Sequence, residues 1–121
     1  MPLILIVDDS PTELHVMQKA LENHGYRTAA AADGAEGVRL AREMTPDLIF
    51  MDIVMPGVNG YQATRMLIND PETSLIPIIM VTTKGQETDR VWGLRQGAVD
   101  YLVKPVSAQA LVEKAQAALA V

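Results

Sequence analysis

The sequence predicts an α/β fold built on a parallel sheet with helices on both faces. Three observations carry this expectation. Short apolar runs, several rich in β-branched residues, alternate with longer amphipathic stretches five times along the chain. The clearest runs lack the polar alternation of a half-solvated strand, so both of their faces should be covered. Capping residues stand where the first two amphipathic stretches begin. At 121 residues, 49% apolar and 21% charged, the chain has the size and composition of one globular domain, expected to span 1–121 with no output domain.

Each element has its own signals. Leu3 to Val7 (LILIV) reads as the first strand, followed by a helix from Pro11 to about His24. There Ser10 is the cap, Pro11 takes the first helical position and Glu13 stands three after the cap, a capping box worth about 1 kcal/mol. Leu14, Met17 and Leu21 recur at helical spacing, and Gly25 supplies the stop. Arg27 to Ala31 is a weaker strand. The helix from about Gly34 to Met44 repeats the cap-and-box logic with Asp33 and Glu36. Leu48 to Met51 (LIFM) leads through a loop to a helix from about Tyr61 to Asn69. Ile78 to Val81 precedes a helix near Gln86 to Gln96, closed by Gly97, in which Gly93 costs about 1 kcal/mol relative to alanine. Val99 to Val103 precedes the last helix, from Ala108 to about Leu119, with Leu111, Ala115, Ala118 and Leu119 on one face.

Composition excludes several function classes. Without cysteine there is no disulfide scaffold, zinc–thiolate site or thiol nucleophile. The net charge of −5 argues against a phosphate-binding basic face and hence against nucleic acid. The longest apolar run, Leu75 to Val81, is far short of the roughly 20 residues of a membrane span, and no secretory leader is evident, so a cytoplasmic location is expected. His15 and His24 fit solvated or core-edge positions better than metal ligands.

In an open parallel sheet, ligands bind beyond the carboxyl ends of the strands, where the strand order reverses. The first strand ends in Asp8 and Asp9, the third in Asp52, the fourth in Thr82 and Thr83, and the fifth in Lys104-Pro105. If those strands are neighbours, three carboxylates, a hydroxyl and an ammonium converge on one edge. Packed carboxylates repel unless a cation compensates, and Mg²⁺ suits such oxygen ligands. With a hydroxyl and a lysine added, the site can neutralise a phosphoryl group, and a carboxylate can itself be the nucleophile.

Four segments then carry a resemblance. LIVDDSPTE, MDIVMPGVNGYQATR, VTTKGQETD and GAVDYLVKP follow in order, with 43 residues from Asp9 to Asp52, 30 from Asp52 to Thr82 and 22 from Thr82 to Lys104. Over its whole length the chain resembles the receiver domain of two-component response regulators. Through DIVMPGVNGYQATR and TTKGQETDRVWGLRQGA it is most similar to the PilH-type regulators of the chemotaxis-like system that controls type IV pili and twitching motility. The resemblance implies a doubly wound, flavodoxin-like sheet in the order 2-1-3-4-5 with five flanking helices. It also implies that Asp52 accepts a phosphoryl group from a histidine kinase in a Mg²⁺-dependent reaction. Asp9, Asp52 and the backbone carbonyl of Val54 would hold the metal directly, and Asp8 mainly through water. Thr82 would donate its hydroxyl to a phosphoryl oxygen, Lys104 would contact the phosphoryl group as a point charge, and Tyr101 would turn inward as Thr82 moves. Pro105 would follow a cis bond that aims Lys104 at the site.

The same resemblance sets expectations for turnover and output. Val54 and Lys84 occupy the positions that tune water access, and the apolar Val54 predicts slow self-dephosphorylation. A shift of Thr82 would move the fourth helix, so the face built from that helix, the fifth strand and the last helix is the expected output surface, acting through a downstream protein target or by draining phosphate from a shared kinase. The chain is expected to be a monomer, with Trp92 either packed or docking a partner. Two other classes are weaker: an Mg²⁺-dependent phosphohydrolase generally has a second aspartate where Val54 stands, and an interaction module that never carries phosphate does not need every acceptor-site residue type.

Overall fold

Strand runs without polar alternation need helices on both sides, and the chain supplies them in two layers. The structure, a computed structural model, describes residues 1–83 and 87–120, the side chains of 87–90 excepted. Five strands, β1 (Leu3–Val7), β2 (Arg27–Ala31), β3 (Leu48–Asp52), β4 (Ile78–Thr82) and β5 (Asp100–Val103), form one parallel sheet in the order β2-β1-β3-β4-β5. They alternate with α1 (Pro11–Glu22), α2 (Gly34–Met44), α3 (Gly60–Asn69), α4 (Glu87–Gln96) and α5 (Ala108–Leu119). The weak second strand lies at an edge and pairs with β1 alone among the described strands, in keeping with its largely half-buried pattern.

Alternate residues of β1, β3 and β4 feed opposite cores. Ile4, Ile6, Phe50, Ile79 and Val81 pack with Met17 and Leu21 of α1 and Leu111, Val112 and Ala115 of α5. Leu5, Val7, Ile49, Met51, Ile78 and Met80 pack on the other side with Val38 and Ala41 of α2 and Ala63 and Leu67 of α3. Every residue of β3 and β4 is buried, so these central strands fix the register against which the edges are aligned. α4 runs unbroken through Gly93, where a Cβ would come within 2.9 Å of Met80 Cγ, so the missing side chain lets the helix sit close on β4.

Several boundaries shift from the sequence expectation. β3 and β4 each continue one residue further, to Asp52 and Thr82, because the parallel ladder pairs Asp52 with Val81 and Thr82 with Val103. α1 stops at Glu22, short of His24, where Asn23 caps it and Gly25 turns at φ 88°. α3 starts one residue earlier, at Gly60, behind an Asn59 cap. β5 starts at Asp100 in place of Val99.

The capping boxes are also corrected. Ser10 Oγ accepts from Glu13 N at 3.3 Å, but the Glu13 carboxylate does not return to the cap backbone; it pairs with Lys104. Asp33 Oδ1 accepts from Glu36 N at 2.8 Å, while Glu36 Oε1 accepts from Ala32 N, one residue before the cap. The reciprocal box forms at α3, between Asn59 and Gln62.

Candidate functional site

The strand order reverses at β1, whose neighbours β2 and β3 lie on opposite sides of it, and the crevice between β1 and β3 opens at their carboxyl ends. Two chain segments deliver acids there. β1 runs into Asp8 and Asp9 before Ser10 caps α1, and β3 ends on Asp52 itself. Ligand oxygens of Asp8, Asp9 and Asp52 all lie within 4.8 Å of one another. Asp8 is fully buried and Asp52 is 4% exposed, whereas Asp9 faces solvent at the mouth.

Lys104 reaches in from the end of β5. Its backbone N–H donates to Thr82 O at 2.7 Å, which ties the lysine to the end of β4, and the Lys104-Pro105 peptide is cis. The ammonium stands 3.0 Å from Asp8 Oδ2 and 3.4 Å from Asp52 Oδ1, and donates to Glu13 Oε2. Ser10 N donates to Asp8 Oδ1 and Ile53 N to Asp52 Oδ1, each at 2.9 Å. Asp8 Oδ2 is close enough to Lys104 for charge pairing, yet it accepts no hydrogen bond among the described residues despite its complete burial.

The charges are therefore mutually strained. Burial first, and the negative charge of Asp8 second, push the Asp52 carboxyl up to about 6. Burial likewise raises Asp8 against the pull of the Ser10 N–H and Lys104. The hydrogen bond from Lys104 holds Glu13 below its usual range. Burial disfavours the Lys104 ammonium, but the attraction of Glu13, Asp8 and Asp52 outweighs it and keeps the lysine firmly charged. The pocket gathers four carboxylates and one lysine, which pairs with three of them, so it retains a negative excess. An all-oxygen donor set of this kind, with a buried carboxylate oxygen left without a hydrogen bond, fits a hard divalent cation such as Mg²⁺.

The fold thus brings together Asp8, Asp9, Asp52 and Lys104, with Thr82 buried at the end of the adjoining strand. Val54 sits in the loop two residues past Asp52, its side chain 73% exposed. Lys84 lies outside the described residues. Tyr101 is half-buried in β5, opposite Met80, and packs against the core on the α2–α3 side. Trp92 is 49% exposed and lines a groove of about 560 Å³ with Tyr61, Arg65, Met66 and Gln96, so it is not a simple core residue.

Sequence reasoning missed two contributors. Glu13 reads as a capping residue because its local pattern is complete, and nothing nearby announces a lysine 91 positions away. Gly60 reads as loop, but a Cβ there would meet Asp52 O at 2.1 Å and Ile53 Cα at 2.8 Å, so the end of β3 and α3 close on each other only through glycine. Its signal was the Asn59-Gly60 pair where the loop after the acid-ended strand gives way to a helical pattern.

Residues 4–116 match the response regulator receiver domain family. The chain is 58% identical over 120 residues to the protein PilH of Pseudomonas aeruginosa, with 99% of each covered. Among solved structures it is similar to the chemotaxis protein CheY4 of Vibrio cholerae (30% identity, TM-score 0.93, 98% of this chain and 99% of that one). It is also similar to the receiver domain of the sensor histidine kinase PA1611 of Pseudomonas aeruginosa, which holds a magnesium ion in its active-site cleft (34% identity, TM-score 0.92, 99% and 98% covered). Among the described residues no helix is long and apolar enough to cross a membrane. With four acids, a lysine and a threonine gathered at the strand ends of a 2-1-3-4-5 sheet, and with these matches, the chain belongs to the response regulator receiver domains, a signalling family and not one of turnover enzymes.

Proposed function

We propose that Asp52 is the phosphoacceptor of a signalling switch. A carboxylate oxygen of Asp52 attacks the phosphorus of a kinase phosphohistidine. The P–N bond breaks, its electron pair stays on the imidazole nitrogen, and an acyl phosphate forms. The observation that carries this reading is the Asp52 carboxylate at the end of β3, with Asp8 and Asp9 oxygens within 4.8 Å and the Lys104 ammonium 3.4 Å away. Asp9, Asp52 and the Val54 carbonyl, with Asp8 behind them, would hold Mg²⁺, which neutralises phosphoryl oxygens when bound. Lys104 supplies the fixed positive charge on the opposite side. Thr82, at the end of the neighbouring strand, donates its hydroxyl to a phosphoryl oxygen, and Tyr101 follows the resulting movement of the strand end. The outward-facing Val54 side chain has no group to orient an attacking water, which supports slow self-dephosphorylation.

The full-length similarity to PilH supports a place in a chemotaxis-like pathway serving type IV pili, with a histidine kinase upstream and a protein target or shared kinase downstream. The decisive experiment incubates the protein with acetyl phosphate and magnesium and weighs it intact. Wild type should gain one adduct of about 80 Da, the mass of a phosphoryl group, and Asp52→Ala should gain none. No adduct on wild type, or an equal one on Asp52→Ala, overturns the reading.

A further inference from the structure

We propose that Glu13 is a positioning residue that competes with the phosphoryl group for Lys104 and so favours the unmodified state. The proposal rests on the reading of Asp52 as acceptor. A lysine ammonium has three N–H donors and no more. Around Lys104 stand three carboxylates: Glu13, which accepts its hydrogen bond, Asp8 at 3.0 Å and Asp52 at 3.4 Å. A phosphoryl oxygen arriving on Asp52 meets an ammonium already drawn toward carboxylates, with its hydrogen bond given to Glu13.

Burial decides which partner gives way. Asp8 is closed off from water, so losing the lysine would leave it with an uncompensated buried charge, and Asp52 itself carries the phosphoryl group in the modified state. The Glu13 side chain is 43% exposed on the first turn of α1 and can be hydrated once released. The local geometry also explains why it reaches for Lys104 at all. In a capping box an N3 glutamate takes the N–H of its cap residue, but here Ser10 N already donates to Asp8 Oδ1. Asp8 thereby displaces Glu13 from its local partner, and the nearest strong donor is Lys104. Each phosphorylation event must break that pair, so the pair opposes phosphorylation.

The test uses Glu13→Gln, which keeps the shape of the side chain and its place in the first turn while removing the charge. Thermal melts that leave wild type and variant fully folded at the assay temperature would establish that folding is not limiting, and Glu13→Ala provides a second variant if the glutamine finds a new partner. With acetyl phosphate and magnesium, Glu13→Gln should acquire its mass adduct about threefold faster than wild type, the size expected for loss of a half-exposed ion pair. In a Lys104→Met background the same substitution should change the rate by much less, since the competition has been removed. An unchanged or slower rate overturns the proposal. So does an equal acceleration in the Lys104→Met background, which would assign the effect to bulk charge. A metal-free readout separates this failure from that of the acceptor reading: the Lys104 ammonium resonance in ¹⁵N NMR should move and exchange faster in Glu13→Gln. An unmoved resonance overturns the pairing even if phosphorylation proceeds, whereas a moved one with no adduct on wild type condemns the acceptor reading and the competition with it.

Discussion

At the β1–α1 junction the side chain at the third helical position, Glu13, leaves the helix end for Lys104; at the β3–α3 junction its counterpart, Gln62, turns back and accepts from Asn59 N at 3.0 Å. Both junctions follow a strand that delivers an acid to the pocket, Asp8 in one case and Asp52 in the other. They differ in what stands at the first helical position. α1 begins with Pro11, whose missing N–H asks for nothing, and α3 begins with Gly60, whose N–H donates to Ile53 O at 2.8 Å. The first junction is therefore held by a long-range ion pair and the second by backbone folded tightly on itself. Function and local rule agree at α3, while at α1 a distant charge overrides the local rule.

The largest expected effect breaks the second junction. A methyl group at Gly60 would meet backbone atoms, Asp52 O at 2.1 Å and Ile53 Cα at 2.8 Å, which cannot swing aside as a side-chain tip can. Gly60→Ala should cost about 3 kcal/mol or more in urea unfolding. It should also shift the amide resonances of Asp52 and Ile53. A loss below about 1 kcal/mol, in the ordinary range for a surface change, would show that the close approach can be relieved and that the junction is not backbone-limited.

This contrast also marks how far the sequence could be read. The sheet was legible because apolar runs without alternation admit one architecture, and the convergence of Asp8, Asp9, Asp52 and Lys104 followed from the end of the sheet at which each strand run stops. The extra strand residues at Asp52 and Thr82 were not legible. A polar residue after an apolar run looks like loop, and only the neighbouring strand shows that the ladder continues through it. Glu13 was misread for a related reason. Capping patterns are local, whereas its partner belongs to the far end of the chain and enters through strand order alone. Gly60 needed knowledge of how closely α3 returns to β3, which no periodicity encodes.

The acid delivered by β3 gives the next effect, and pH tunes it. The Asp52 carboxyl is pushed from 3.8 to about 6 by burial and by Asp8. A raised folded-state value means that the proton is held more tightly in the folded chain. Its stabilisation is complete below pH 3.8 and is lost as pH climbs through about 6. Above that range wild type carries a penalty that Asp52→Asn does not. In metal-free buffer the stability advantage of Asp52→Asn should therefore grow to about 2–3 kcal/mol between pH 4 and pH 7 and then level off. Added magnesium should shrink it by stabilising wild type through binding. Urea unfolding at a series of pH values checks this, and an advantage that stayed flat with pH would mean that Lys104 already neutralises Asp52 fully.

The smallest effect compares the two caps themselves. Asn59 Oδ1 accepts from Gln62 N at 2.9 Å within a complete reciprocal box, whereas Ser10 Oγ accepts from Glu13 N at 3.3 Å with no return bond. The longer bond is the weaker one. Its helix start is also fixed by Pro11 and by the pull of Lys104 on the same turn. Removing each cap should then separate the junctions: Asn59→Ala should cost about 1 kcal/mol and Ser10→Ala about 0.5 kcal/mol. The order should reverse once the ion pair is gone, because in a Glu13→Gln background the start of α1 depends on its cap more heavily. If Ser10→Ala costs as much as Asn59→Ala with Glu13 intact, the ion pair contributes nothing to holding the first turn, and α1 is an ordinary capped helix whose glutamate happens to lie near a lysine.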